Sequence, residues 1–197
     1  YKTENPWYEE DFKDLSDSGK VVRSGWPMEY MDSTLQAYKG MDKQNLIVFP
    51  HRIAPEKQVE IFKDLKGTMV EYDWQICQEQ NLTKQQYHSL LAESKMVFSA
   101  NLQETLGISM MEGVLAGAIP VVPDRCSYKE MYLPCFKYPS EWTSSYENFL
   151  TYRGELLDFI QDKIVNYKNY ENELEAQRGI LSTKYLNADI MYSRLMR

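Results

Sequence analysis

Four charged side chains have types and spacing suited to a charged, hydroxyl-rich ligand: Arg52, Lys57, Glu104 and Glu112. Arg52 lies in "PHRIAPEK" (50–57), directly after the apolar run "NLIVFP" (45–50), and Lys57 falls in the first turns of the segment that follows. An arginine presents a planar fork of donors to phosphate oxygens, and a lysine presents a compact point charge. A local ion pair for Arg52 and a solvated Lys57 would account equally well for this loop taken alone.

The two glutamates bracket a helix start in "ANLQETLGISMMEGVLAG" (100–117). The free N–H groups of a helix N-terminus and its positive dipole end make an anion site. Thr105, Leu106 and Gly107 supply backbone there, Gly107 allows close approach, and Ser109 adds a hydroxyl in the first turn. Two cations and a helix terminus on one edge suit a diphosphate better than a single carboxylate. Carboxylates accept hydrogen bonds from vicinal hydroxyls, which is how acidic residues hold a ribose. Phosphates at the helix start, a ribose at one glutamate and a second hydroxyl-rich group at the other together describe a nucleotide sugar. The plainer alternative is that Glu104 complements the helix dipole and Glu112 is a solvated helix residue.

These residues need a scaffold that brings distant loops to one edge. "NLIVFP" has the continuous apolarity of a strand buried on both faces. "APEKQVEIFKDLKG" (54–67) is expected to be one helix, with Pro55 early and Gly67 at its stop. "TMVEYDWQIC" (68–77) is expected to be a strand, and "LTKQQYHSLLAESK" (82–95) a helix capped by Thr83. Further along come a strand at "MVFSA" (96–100), a helix ending at Gly117 and a strand at "AIPVVP" (118–123). A short helix at "SYKEMYL" (127–133) and a weak strand at "CFKYP" (135–139) close the alternation. From about 148 the pattern is helical: Leu156, Leu157, Ile160 and Ile164 form a stripe, and a second helix is expected to carry Leu186, Ile190 and Leu195. The fold class that follows is α/β, a Rossmann-like doubly wound parallel sheet flanked by helices. Such sheets bind ligands at the carboxyl ends of their strands, so the residues just after 50, 77, 100 and 123 share one edge.

Residues 1–34 are polar and turn-rich, with only "KVVRSG" reading as a short strand, and are expected to be a linker or the tail of a preceding domain. Residues 35–197 are then the binding domain. A hydrophobic content of 43% suffices for a core of this size, while a net charge of −7 argues against a nucleic-acid binder acting through its whole surface. Cys77, Cys126 and Cys135 form no C-x-x-C pair, and with two histidines there is no metal-ligand pattern; reduced thiols in a cytoplasmic setting are expected. No apolar run approaches the roughly 18 residues of a membrane span. Asn81-Leu82-Thr83 matches a glycosylation sequon, read as chance in the absence of a secretion signal. The chain begins at Tyr1 and is expected to be part of something longer.

The stretch "ETLGISMMEGVLAGAIPVV" resembles the signature of retaining glycosyltransferases of the two-domain GT-B architecture, the group 1 or glycogen-synthase-like superfamily. The matching positions are Glu104, Gly107, Glu112, Gly117, Pro120 and Val121. "VFPHRIAPEKQ" is similar to that family's strand, Arg, short loop and Lys. "LTKQQYHSLLAESKMVFSA" is similar to the helix and strand before the signature, Glu130 in "SYKEMY" to a glutamate beyond the Pro-Val strand, and "SGWPMEYM" (24–31) to the segment that crosses between domains. The likeness spans roughly residues 20 to 195.

The resemblance implies a donor-binding half of such an enzyme. Arg52 and Lys57 would neutralise the diphosphate of a nucleoside diphosphate sugar, with a UDP-sugar favoured. Glu112 would hold the ribose, Glu104 the transferred sugar, and the backbone of Thr105, Leu106 and Gly107, with Ser109, the phosphates. The base would lie against the loop after the second strand, near Gln78 and Leu82. Catalysis would be retaining and metal-independent, with no cofactor besides the donor substrate. The acceptor would be held by a separate N-terminal domain, and sugar, lipid, protein, small molecule and modified nucleic acid all stay open as acceptors. One departure is that "FPHR" stands in place of the common Gly-rich turn before the Arg; contact with the acceptor and simple packing are both compatible with its His51. A non-catalytic nucleotide- or sugar-nucleotide-binding domain of the same fold is the alternative. A receiver-like domain would need an acidic cluster where this chain has Pro50-His51-Arg52.

Overall fold

A computed structural model describes residues 17–18, 24–38 and 40–196. Most of "KVVRSG" lies outside the described residues. Five parallel strands form the centre in the order β2-β1-β3-β4-β5: β1 (Gln44–Phe49), β2 (Asp73–Ile76), β3 (Ser94–Phe98), β4 (Ile119–Pro123) and β5 (Lys137–Tyr138). Ile47 pairs with Trp74 on one side and Met96 on the other, and Val97 with Pro120. Ile47, Val48, Phe49, Met96, Val97, Phe98, Val121 and Val122 are fully buried, which is why these strands read as unbroken apolar runs. The order reverses direction between β1 and β3, which places a crevice at their carboxyl ends.

Helices α1 (Tyr30–Gln36), α2 (Val59–Thr68), α3 (Lys84–Glu93) and α4 (Ile108–Leu115) surround the first strands. Helix α3 begins as its sequence indicates: the Gln86 amide donates to Thr83 Oγ1, and the Thr83 amide donates to Gln86 Oε1, a reciprocal capping box.

Residues 54–67 do not form the single helix expected of them. A 3-10 turn (Pro55–Lys57) precedes α2, and Gln58 between them is left-handed at φ 51. The Gln58 side chain is buried and donates through Nε2 to the carbonyls of Ala100, at 2.5 Å, and Thr143, at 2.7 Å. Tertiary hydrogen bonds thus hold a conformation that helix propensity alone disfavours. The helix also continues past Gly67 to Thr68, whose hydroxyl bonds back to Asp64 O at 3.1 Å. The strand expected over 68–77 is therefore shorter, since only 73–76 reach register with Leu46–Phe49.

Beyond β4 lie α5 (Tyr128–Met131), α6 (Tyr146–Thr151), α7 (Arg153–Val165), α8 (Glu171–Ile180) and α9 (Asp189–Leu195). Leu156, Ile160 and Ile164 are buried along α7 as the stripe indicated. Leu186, Ile190 and Leu195 do not share one final helix, as their spacing suggests. Leu186 is buried at the end of a π-helical turn (Leu181–Tyr185), and a new start is made where Asn187 Oδ1 accepts the Asp189 amide at 2.8 Å. Ile190 and Leu195 on α9 are exposed, at 52% and 76%.

The described part of residues 1–34 is tied into this frame. The Trp26 amide donates to Tyr185 O at 2.8 Å, and the Ala188 amide to Glu29 Oε1 at 2.8 Å. Gly25 is at φ +66, where an added Cβ would lie 1.8 Å from Asn187 O. Met31 and Leu35 of α1 are buried, and α1 packs against α4. No helix among the described residues is long and apolar enough to cross a membrane.

Candidate functional site

The loops after β1 and β3 meet at the carboxyl edge. Because Gln58 breaks the chain's helical course, Lys57 ends a 3-10 turn and reaches across to the β3 loop. Its Nζ lies 2.9 Å from Glu104 Oε2 and 3.1 Å from the Gln103 carbonyl. The Leu102 amide donates to Glu56 O at 2.8 Å, fastening the same two loops through the backbone.

Glu104 is a junction. Its Oε1 accepts the amides of Thr105 and Gly107, each at 3.0 Å, and its Oε2 accepts Asn101 Nδ2 at 2.8 Å as well as Lys57. Burial works against its charge, yet Lys57 and the Thr105 amide hold its carboxyl below the ordinary carboxylate range. Gly107 is the left-handed N-cap of α4, at φ +70, and an added Cβ would lie 2.8 Å from Tyr128 Cε1. Thr105 is exposed and Leu106 half-buried beside it. The next amides, those of Ile108 and Ser109, have no intrahelical acceptor, and the positive end of this eight-residue helix opens there.

Ser109 Oγ stands 3.1 Å from His51 Nδ1, which joins the β1 loop to the first turn of α4. His51 is buried, and its Nε2 has no partner. Burial, then the charge of Lys57, pushes its pKa down to about 3, so the ring is neutral at physiological pH.

A cavity of about 250 Å³ opens between the loops after β1 and β2. Pro50, His51 and Arg52 line one side; Cys77, Gln78 and Leu82 the other; Tyr87 of α3 lies between. Burial pushes the Cys77 thiol up to about 12, which leaves it as a packing group rather than a nucleophile. The Arg52 side chain is 69% exposed and pairs with Glu56. Glu112 is reached through Tyr87, whose hydroxyl donates to Glu112 Oε2 at 2.9 Å, while His88 Nε2 stands 3.8 Å from Oε1. Glu130 lies on α5, and its carbonyl accepts the Tyr185 hydroxyl at 3.0 Å.

Lys57, Glu104, Thr105, Gly107 and Ser109 therefore form one cluster, with Arg52, Gln78 and Leu82 on the adjoining cavity and Glu112 behind a tyrosine. Sequence reasoning missed the supporting layer. Asn101 also donates to Tyr128 OH at 3.0 Å. Arg125 donates to the carbonyls of Asn101 at 2.8 Å, Ala100 at 3.2 Å, Ser140 at 3.1 Å and Thr143 at 2.9 Å, and to the Thr143 hydroxyl. An arginine two residues past the end of β4 is the available signal. Its partners are backbone carbonyls from two loops, and no local motif announces those. Among the described residues, no group of three or more His, Cys, Asp or Glu side chains could hold a metal ion.

The parallel five-stranded sheet, its flanking helices and its C-terminal helices make a Rossmann-like α/β fold, and its likeness among solved structures is to the glycosyltransferase-like fold of a GT-B C-terminal domain. Two solved structures carry this likeness. One is of a point mutant of S. aureus TarM in complex with Fondaparinux, alpha-GlcNAc-glycerol and UDP; it matches with a TM-score of 0.60 and 14% identity over 96% of this chain. A second TarM structure matches with a TM-score of 0.57 and 14% identity over 89% of the chain. The chain spans 42% and 37% of the length of those two proteins. No family model matches the chain, and no curated protein matches it.

Proposed function

We propose that this chain is the donor-binding domain of a retaining, metal-independent glycosyltransferase that takes a nucleoside diphosphate sugar, a UDP-sugar foremost. The observation that carries this is the meeting of Lys57, the Glu104 junction and the open amides of Ile108 and Ser109 beside a cavity large enough to admit a nucleobase. The diphosphate sits at the start of α4 with Lys57, and Arg52 leaves Glu56 to join it. The cations and the helix dipole stabilise the departing nucleoside diphosphate where charge develops. Glu112 exchanges the Tyr87 hydroxyl for the ribose diol, and Glu104 faces the transferred sugar. A separate N-terminal domain presents the acceptor, whose chemistry is unassigned and includes nucleic acid. The three cysteines form no disulfide with one another, which suits a reducing cytoplasm.

Titration calorimetry of the chain with UDP and UDP-sugars tests this. Binding that is lost in a Lys57→Met variant, shown by circular dichroism to be folded, supports the proposal; no binding to the wild-type chain overturns it. The non-catalytic alternative is favoured by one observation: both cations already have glutamate partners, Glu56 and Glu104, without a ligand. A domain that binds UDP-sugars but shows neither their hydrolysis nor their transfer when combined with the remainder of its protein would be of that second kind.

A further inference from the structure

The cavity beside Arg52 is largely apolar, and Gln78 is the uncharged amide on its wall. The Ile53 backbone amide donates to Gln78 Oε1. A backbone N–H can only donate, so the side-chain atom facing it is the amide oxygen. The oxygen is committed to Ile53, and the Nε2 hydrogens find no acceptor among the described residues. Gln78 therefore meets a cavity occupant as a donor only.

Position determines which part of a nucleotide it meets. Gln78 lies in the 3-10 turn (Cys77–Glu79) that follows β2, an edge strand two strands away from β3 and the α4 start where phosphates bind. Between them lies Tyr87, on Glu112. A nucleotide laid from α4 across Glu112 therefore brings the far edge of its base to Gln78, the edge that carries O4 in uracil and N4 in cytosine. Resting on the nucleotide assignment above, we infer that Gln78 selects bases with a carbonyl at that edge, uracil over cytosine, and is the base-discriminating residue of this site. A donor-only amide pairs with uracil O4. Against the cytosine amino group it sets donor against donor; Gln78 is exposed in the free chain, so the penalty arises as the base covers that donor, and a preference of about tenfold is expected.

Calorimetry with UDP and CDP on wild type and Gln78→Glu tests this, with circular dichroism as the check on folding. Glutamate can still accept the Ile53 amide with one oxygen, and it offers the other as an acceptor. The expected result is that wild type binds UDP about tenfold or more tighter than CDP, and that Gln78→Glu narrows or reverses the ratio. Equal binding of UDP and CDP to wild type, or an unchanged ratio in the variant, overturns the role of Gln78 and leaves the nucleotide assignment standing. Failure of wild type to bind either nucleotide overturns both.

Discussion

Lys57 Nζ and Glu104 Oε2 stand 2.9 Å apart across 47 residues of sequence, with both side chains largely buried, at 10% and 14% exposure. The pair joins a 3-10 turn after β1 to the helix start after β3, an ion pair across the two loops beside the backbone bond from the Leu102 amide to Glu56 O. Removing one partner of a buried ion pair strands the other and costs about 3–5 kcal/mol. Lys57→Met and Glu104→Gln should each lower unfolding stability by about 3 kcal/mol, and the double variant should lose clearly less than the sum. Urea unfolding of the four proteins measures this coupling; strict additivity would show that the contact is energetically idle.

His51 should make the protein acid-sensitive. Its ordinary pKa is 6.5, and in the folded chain it is near 3. Below pH 6.5 the unfolded chain takes up a proton that the folded chain refuses. The contribution of neutral His51 is thus complete above pH 6.5 and declines as pH falls toward 3, by up to about 1.4 kcal/mol per pH unit. His51→Gln, which keeps a partner for Ser109, should flatten the fall in urea midpoint between pH 7 and 5.

Arg125 should be the main support of the β3 loop. It binds carbonyls of Ala100 and Asn101 on one side and of Ser140 and Thr143 on the other. Arg125→Met keeps the volume but leaves these acceptors unpaired, and a loss of about 3 kcal/mol is expected. Hydrogen exchange should rise at residues 99–107, whereas a variant that loses stability with protection there unchanged would argue against the clamp.

Much of the fold was legible because burial on both faces leaves apolar runs, as at Leu46–Phe49 and Ile119–Val122. Thr83 was legible as a cap because its partner Gln86 lies three residues away. The failures share a cause: tertiary contacts overrode local pattern. Gln58 looks like an ordinary helical residue until Ala100 and Thr143 claim its side chain. Leu186 looks periodic with Ile190 until Asn187 restarts the helix between them. At the site, charged residue types and spacing pointed to Lys57, Glu104 and the start of α4. A local ion pair is one of the two readings of Arg52 in that loop, and the structure has it, with Glu56 as the partner that the sequence alone does not name. Tyr87 on Glu112 could not be read, because α3 and α4 are brought together only by the sheet.

Glu112 and Tyr87 make a separable pair of variants. If the ribose diol replaces the Tyr87 hydroxyl on Glu112, Glu112→Gln should weaken UDP about tenfold. Tyr87→Phe removes the competing hydroxyl and keeps the ring, so it should tighten UDP by about threefold. Calorimetry decides: weakening in Tyr87→Phe would mean that the hydroxyl itself contacts the ligand.

On the proposed function, a nucleoside diphosphate binds at the carboxyl edge between the start of α4 and the loop after β2. Amide NMR of the chain titrated with UDP tests it residue by residue. The largest shift changes are expected at Gly107, Ile108 and Ser109, with a second group at Gln78 and Leu82 and the Gln78 side-chain amide. Shifts confined to the opposite edge, around Gly40, Lys43 and Gly117, or no shifts at millimolar UDP, would contradict it.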